Sequence, residues 1–130
     1  MKQQNERSTP LQRLLREREE QWRRRLEEVK RWAEWLAKAL RGQGIIVERI
    51  LLFGSVARGD FTVDSDVDLI IVSGDWRRLT VTERLGLLYR LWDKPVDATF
   101  LAVTPGELYR LLETSIVVRD ARRYWVQVYP

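Results

Sequence analysis

Two aliphatic runs separated by a short loop constrain this chain more than any other feature of its sequence. The first run ends in LLF at residues 51–53, and the second is VDLIIV at residues 67–72. Short apolar runs bounded by glycine, serine and aspartate are typical of buried β-strands. The loop between them begins with Gly54-Ser55 and ends in the sequence DSD. Because an ionised carboxylate beside a buried strand is costly unless a positive charge compensates it, the pattern predicts a site as well as a sheet.

The other segments indicate a single mixed domain. Apolar residues recur at helical spacing from Pro10 to Arg41, which predicts one long amphipathic helix. The same signals predict further elements in the following order: a strand over residues 45–53, a strand over 67–72, a helix over 79–92, a strand in KPVDATFLAV, a helix over 106–112 that SIVVRDARR continues, and a strand in WVQVY. We therefore expect an α/β domain over residues 45–130, with a small mixed β-sheet and helices packed on one side. The long helix, within residues 1–44, precedes it, and the 130 residues suit one compact unit.

The sequence contains no histidine and no cysteine, and this absence excludes several kinds of chemistry. Imidazole-dependent triads, imidazole zinc sites, thiolate metal sites and disulfides all require one of these residues. The first ten residues are polar and no uncharged apolar run follows them. We therefore expect no secretory signal, no membrane span and a cytoplasmic location.

The positive charge of the chain is concentrated in its N-terminal segment. The net charge is +4, and residues 1–41 contain 12 Lys or Arg and 7 Glu. An excess of basic residues can indicate nucleic-acid binding, but glutamates are interleaved here, as in REREEQWRRRLEEVKRW. Such alternation is typical of a solvated, ion-paired helix face, so nucleic acid is not an expected partner.

Three tryptophans lie along the predicted long helix. Trp32 and Trp35 are expected to contact the core of the domain. Trp22 lies on the part that we expect to project beyond the domain, and it is predicted to contact another chain. The helix is therefore a candidate surface for a homo- or hetero-oligomeric contact.

Acidic residues mark the start of the second and third predicted strands. Side chains on a strand alternate between faces, so Asp66 and Asp68 point the same way while Val67 points the other way. Asp97 interrupts the apolar run of the next strand, and the three carboxylates converge if the two strands are neighbours. Carboxylates this close favour a bound cation, and Mg²⁺ prefers oxygen ligands. The pattern predicts two magnesium ions and a catalytic role for all three acids, with Asp97 binding the second ion or accepting a proton.

The residues before these acids are candidates for phosphate binding. Gly54 allows backbone amides and the Ser55 hydroxyl to approach a phosphate closely. Arg58 has two interpretations, an ion pair with Asp60 or Asp64, or a contact with a nucleotide's phosphates. Taken alone, a Gly-Ser pair is typical of a plain turn and an aspartate before a strand is typical of a solvated acid. Their conjunction favours in-line phosphoryl or nucleotidyl transfer.

The stretch GSVARGDFTVDSDVDLIIV, followed by VDATFL, resembles the minimal nucleotidyltransferases of the DNA polymerase beta superfamily. The pattern of that family is Gly-Ser, a spacer with a further glycine, Asp-x-Asp and a third Asp on a later strand, and every position is present here. The resemblance covers residues 45–130. It implies that Gly54 and Ser55 hold the phosphates of a nucleotide, that Asp66 and Asp68 bind both magnesium ions, and that the aspartate of VDATFL is the third acid.

The same resemblance implies a partner protein. Family members of this size are often encoded beside a small helical HEPN-type protein and act as antitoxins, by binding it or by transferring AMP onto it. We therefore expect transfer of AMP from ATP, or from another NTP, to a hydroxyl of a HEPN-type toxin, with the long helix as the docking surface. Two alternatives remain open: a non-catalytic antitoxin or scaffold that neutralises its partner by contact, and nucleotidyl transfer to RNA or a small molecule.

Overall fold

A long helix begins the fold. The structure, a computed structural model, describes residues 7–130, and the first six residues of the predicted N-terminal segment lie outside this range. Helix α1, Pro10–Gly42, has 33 residues, which corresponds to a length of about 50 Å. It begins with a capping box between Thr9 and Gln12 and has proline in its first turn. No helix within residues 7–130 combines the length and the apolar character needed to cross a membrane.

The remaining elements form one sheet with helices around it. They are strand β1 (Arg49–Phe53), helix α2 (Gly54–Arg58), strand β2 (Val67–Val72), a 3-10 helix (Gly74–Arg78), helix α3 (Val81–Leu91), strand β3 (Ala98–Val103), helix α4 (Pro105–Thr114), helix α5 (Ile116–Arg122) and strand β4 (Val126–Tyr129). The strand order is β3-β2-β1-β4. β1 is antiparallel to β2 and β4, whereas β2 is parallel to β3. The predicted mixed α/β class with a small mixed sheet is confirmed.

Helices cover both faces of this sheet, which corrects the prediction that they pack on one side. On one face, Leu69 of β2 belongs to the same core as Leu36 of α1. On the other face, Ile70 is packed with Leu108 of α4 and Val118 of α5. The reason is visible in the run LIIV, because a strand that is apolar on both faces requires cover on both faces.

The first strand is shorter than predicted. It begins at Arg49 rather than at residue 45, although Ile45 is buried. Side chains bond the backbone just before it: the Ser73 hydroxyl donates to the Ile46 carbonyl at 2.6 Å, and the Ile46 amide donates to Asp75 Oδ2 at 2.8 Å. These side chains take the positions that a neighbouring strand would occupy, so the backbone leaves the ladder.

Other element boundaries also differ from the prediction in small ways. Helix α3 begins at Val81, immediately after Thr80, which caps it. The predicted last helix is two helices, because Ser115 ends α4 and caps α5 by accepting from the Val118 amide. The strand predicted in KPVDATFLAV begins at Ala98. Asp97 is therefore the residue immediately before the strand and is not part of it.

Helix α1 has an exposed part and a buried part. Residues 10–21 are all exposed, whereas the later part buries one stripe against the sheet, made of Val29, Ala33, Leu36, Ala37 and Leu40. Trp32 and Trp35 pack against this core, as predicted. The prediction for Trp22 is corrected: it is partly buried, and its indole Nε1 donates to the Val56 carbonyl of the same chain at 2.8 Å. The projecting part of α1 therefore ends before Trp22.

Candidate functional site

The predicted acids lie where two neighbouring strands begin. β2 and β3 are parallel, and Asp68 is paired with Thr99 across them. The Val67 amide donates to the Asp97 carbonyl at 3.0 Å. Asp66 and Asp97 therefore occupy adjacent register positions directly before the two strands. Because side chains alternate along each strand, these register positions and those of Asp68 and Thr99 share one face of the sheet.

This end of the face is left open by the C-terminal helices. Further along the strands, the same face is covered by α4 and α5, which bury Ile70 and Val103. The cover does not extend to the strand starts, where Asp68 is half-buried and both Asp66 and Asp97 are exposed. The result is a row of acids at the edge of an apolar layer, accessible from solvent.

Asp68 has an unfavourable environment for its charge. Burial raises the pKa of its carboxyl above the ordinary value of 3.8, and the nearby charge of Asp66 raises it further. A hydrogen bond with the Thr99 side chain and the charge of Arg58 act in the opposite direction without reversing the shift. A cation bound beside Asp68 would remove this penalty.

Gly54 brings the backbone into contact with this acid. Its φ is +74°, and a Cβ added there would lie 2.9 Å from Asp68 Cγ and closer still to its Oδ2. Only glycine therefore fits both the backbone conformation and the space. Gly54 also begins α2, which makes the predicted Gly-Ser turn the first turn of a short helix. Phe53 provides no side-chain cap there, and first-turn amides have no carbonyl partner within a helix, so they are available to an anion.

In this structure Arg58 forms one of its two predicted contacts, the ion pair with Asp60. Its Nε lies 3.2 Å from Asp60 Oδ2, and both side chains are largely exposed. Exposed ion pairs contribute little free energy, so the guanidinium is free to exchange this partner for a phosphate. The other loop acid, Asp64, is exposed, as predicted.

The donor set suits magnesium when phosphate ligands are included. Within the described range, residues 7–130, no group of three or more acidic side chains is assembled as metal ligands. The structure therefore aligns Asp66, Asp68 and Asp97 at one sheet end without closing them into a cluster. Mg²⁺ is commonly held by one or two carboxylates together with substrate phosphates and water. The oxygen donors and the raised pKa of Asp68 fit such an ion.

Two supporting residues were not found from the sequence. Thr99 is paired with Asp68 across the two strands and lowers the pKa of its carboxyl. Its position two residues after Asp97 was the available signal, since period two places both on one face. Trp92 supports the segment before β3, because its indole Nε1 donates to the Val96 carbonyl at 2.8 Å. No sequence pattern specified that contact.

Comparison with known families identifies the class of domain to which this fold belongs. The profile of the family described as "Nucleotidyltransferase domain" matches residues 33–124, well over half of the chain. The chain therefore belongs to the nucleotidyltransferase domain family. The matched range includes all six predicted site residues and begins inside α1. The family match supports a nucleotidyl-transferring activity.

Individual relatives show more limited similarity. A segment of 44 residues is 43% identical to the "Putative protein adenylyltransferase MJ0604" of Methanocaldococcus jannaschii. The aligned segment spans 34% of this chain and 41% of that protein, so less than half of the relative's length is matched. The crystal structure of "a putative nucleotidyltransferase from Sulfolobus solfataricus" superposes with a TM-score of 0.57 over 85% of this chain and 84% of that chain. With 24% sequence identity, it supports the fold alone.

Proposed function

We propose that this protein is a magnesium-dependent nucleotidyltransferase that transfers AMP from ATP to a hydroxyl of a partner protein. The observation that carries the proposal is the juxtaposition of Gly54 with Asp68, at the open end of the face that also presents Asp66 and the register position of Asp97. A phosphate-binding turn and carboxylates that need a counter-charge are thereby adjacent. Membership of the family and the name of the M. jannaschii relative support the choice of reaction.

The chain's own groups have separate roles in this proposal. Backbone amides at the start of α2 and the Ser55 hydroxyl bind phosphate oxygens of the nucleotide. Arg58 leaves Asp60 and pairs with the phosphates instead. Asp66, Asp68 and Asp97 are the residues that would hold two magnesium ions, and bound Mg²⁺ would supply neutralisation of the charge on the phosphates and on the leaving pyrophosphate.

The transfer itself is an in-line displacement. The acceptor oxygen attacks the α-phosphorus of ATP, a new phosphorus–oxygen ester bond forms, and the bond to the bridging oxygen of pyrophosphate breaks. The acceptor hydroxyl loses one proton, and an ionised carboxylate at this edge, for which we propose Asp97, accepts it. The exposure of Asp97 leaves room for an acceptor that arrives from another molecule.

The proposed acceptor is a helical HEPN-type toxin, with this chain acting as its antitoxin. The resemblance of the GSVARGDFTVDSDVDLIIV stretch to minimal nucleotidyltransferases is the basis for this choice. The projecting part of α1 supports docking, because Leu11, Leu14 and Leu15 are 63%, 52% and 57% exposed on it. Leucines three and four residues apart form one stripe, which suits packing against a partner helix.

Transfer of label from ATP tests the proposal. The chain is incubated with Mg²⁺, the protein encoded by the neighbouring reading frame, and ATP labelled on either the α- or the γ-phosphate. We expect the α-label alone to become attached to the partner protein, since AMP is transferred and pyrophosphate leaves. The pair Asp66→Asn and Asp68→Asn should abolish labelling, whereas the control pair Asp60→Asn and Asp64→Asn should retain it.

A binding-only antitoxin is the second candidate, and the exposed leucine stripe on α1 favours it, because contact through that stripe would suffice for neutralisation. It predicts that no label is transferred and that toxin neutralisation survives in the variant carrying both Asp66→Asn and Asp68→Asn. Label on RNA or on a small molecule, without any second protein, would instead indicate a different acceptor. Either result contradicts transfer to a partner protein.

A further inference from the structure

Helix α1 contacts the loop that joins the phosphate-binding turn to the acids. Besides its 2.8 Å hydrogen bond to the Val56 carbonyl, Trp22 packs its ring against the backbone at Gly59. A Cβ added at Gly59 would lie 3.3 Å from Trp22 Cδ2, and the φ of this glycine is +82°. A single side chain of α1 thus contacts α2 at its middle and at Gly59, the residue that follows its end.

Arg25, one turn later on α1, contacts the same loop further along. Its Nη2 donates to the Val63 carbonyl at 3.4 Å, and its guanidinium carbon lies 5.5 Å from the centroid of the Phe61 ring. Glu28 neutralises it from the same helix, with Nε 3.2 Å from Oε1. Although charged, the side chain is only 12% exposed. Its Nη1 is buried without a hydrogen-bond partner among the described residues, a position that costs free energy.

The contacts made by Trp22 and Arg25 lie within the segment between the phosphate-binding turn and the first acid, on which the geometry of the site depends. The chain runs from Gly54 through the Trp22 contacts at Val56 and Gly59, then through the Arg25 contacts, to Asp66. α1 also contacts the segment before the third acid, since the ring centroids of Trp32 and Trp92 are 6.1 Å apart. The same helix therefore contacts both segments that precede the predicted acids.

We propose that Trp22 and Arg25 are positioning residues that hold residues 56–63 in the conformation required for nucleotide binding. The inference rests on the proposed function and adds to it a role for the part of α1 just beyond the projecting leucines. Neither side chain is assigned to the nucleotide itself. Both act on the backbone between the phosphate-binding turn and the acids, and their loss changes the affinity for the nucleotide.

Four variants and two controls test this role. Trp22→Phe keeps a ring on Gly59 but removes the hydrogen bond to the Val56 carbonyl, and Arg25→Met keeps the apolar stem but removes the guanidinium. Trp22→Ala is the full truncation, and Arg25→Lys is the conservative variant. Arg24→Met changes the exposed neighbour on α1. Leu40→Val weakens the buried face of the same helix far from the loop.

The measurements are the dissociation constant of MgATP, the KM and kcat of transfer, amide hydrogen exchange of residues 56–66, and the midpoint of thermal unfolding. Trp22→Phe and Arg25→Met should raise the dissociation constant and KM about 10-fold, in the range found when supporting outer-shell contacts are removed. Exchange of the loop amides should accelerate in both variants, and Arg25→Lys should restore part of the affinity. Arg24→Met should behave as native, and Leu40→Val should lower the unfolding midpoint without changing the affinity.

The contrary results are distinct. Unchanged loop exchange and unchanged affinity in Trp22→Phe and Arg25→Met overturn the inference while leaving the proposed function intact. An affinity that falls equally in Leu40→Val also overturns it, because the effect would then follow stability alone. A native chain that binds no MgATP contradicts the proposed function, and the inference falls with it.

Discussion

At the scale of single residues, Gly54 links the backbone of the turn to the chemistry of the neighbouring acid. We predict that Gly54→Ala costs about 1–2 kcal/mol of stability, because an L-residue is strained at positive φ. The new methyl group also displaces the Asp68 carboxylate, so transfer activity should fall about 100-fold or more. Unfolding in urea and labelled transfer measure the two effects.

Gly44 provides the matched control for this variant. Its φ is +84°, and a Cβ there meets nothing within 4 Å. Gly44→Ala should therefore show a similar loss of stability with full activity. Equal activity losses in both variants would contradict the assigned contact between Gly54 and Asp68.

The raised pKa of Asp68 predicts that this acid destabilises the protein in the absence of a cation. Because burial raises its folded pKa above 3.8, the folded chain retains the proton to a higher pH than the unfolded chain does. The protonated form of Asp68 therefore favours the folded state at low pH. This stabilisation is lost as pH rises through the interval between the unfolded and folded pKa values. Asp68→Asn should raise the unfolding midpoint at neutral pH without magnesium, and it should flatten the pH dependence of stability within that interval.

Magnesium adds a second measurement to the same variant. Excess Mg²⁺ with ATP should raise the unfolding midpoint of the native chain by mass action, but should have a smaller effect on Asp68→Asn. The exposed loop acid provides the control, and Asp64→Asn should stay within about 0.5 kcal/mol of native stability. A less stable Asp68→Asn at neutral pH without magnesium would contradict this account of the carboxylate.

At the scale of elements, a buried arginine connects four parts of the fold. Arg84 of α3 is 5% exposed. It donates from Nε to the Trp76 and Leu79 carbonyls at 2.9 and 3.1 Å, and from Nη1 to the Ala102 carbonyl and Glu107 Oε1 at 3.2 and 2.7 Å. Arg84→Met removes all four hydrogen bonds together with the ion pair to Glu107. It should cost about 3 kcal/mol, near the lower end for a broken buried pair because the carboxylate retains access to water. Chemical denaturation measures this loss.

Glu107 should make the stability contributed by its pair with Arg84 depend on pH. Burial alone would raise the pKa of its carboxyl, but hydrogen bonds from Arg84 and from the Thr104 amide together lower it below 4.5. Its contribution to stability is therefore present above the unfolded pKa and is lost as pH falls through the folded pKa. Glu107→Gln should be less stable than native at pH 7 and should lose less stability on acidification. The exposed Glu113→Gln on the same helix should follow the native curve.

The sequence predicted the helices and strands correctly where the periodicity of apolar residues alone determines the structure. The apolar run VDLIIV predicted β2, and the two-residue period of a strand predicted the shared face of Asp66 and Asp68. The partners of Arg84 were not predictable, because they come from three segments, the end of the 3-10 helix, β3 and α4, that the tertiary fold brings together. The late start of β1 depends likewise on bonds from distant side chains, Ser73 and Asp75. The alignment of Asp97 with Asp66 follows from the neighbouring parallel strands β2 and β3. The distances among the three carboxylates depend on side-chain geometry, which the spacing of the aspartates in the sequence does not specify.

At the scale of the whole molecule, α1 is part of the core at one end and projects from it at the other. The helical spacing of apolar residues predicted its length but not the position where it leaves the domain. Leu11 and Leu26 look alike in the pattern, yet only the latter packs against the core. In the structure the projecting part of α1 ends at residue 21, because Trp22 already contacts α2. A truncation through residue 22 would therefore disturb the site as well as a docking surface.

Substitution of the projecting leucines separates docking from catalysis. Leu11→Gln, Leu14→Gln and Leu15→Gln in one variant keep strong helix formers on α1 while removing its exposed apolar stripe. We expect the variant to lose its complex with the helical partner on a sizing column while binding MgATP and unfolding as the native chain does. The charge-neutral control pair Glu19→Gln and Arg23→Gln, exposed on the same helix, should retain the complex. If the native chain alone elutes as a dimer that the leucine substitutions dissociate, the stripe binds a second copy of this chain, and the proposed docking of a toxin helix is wrong.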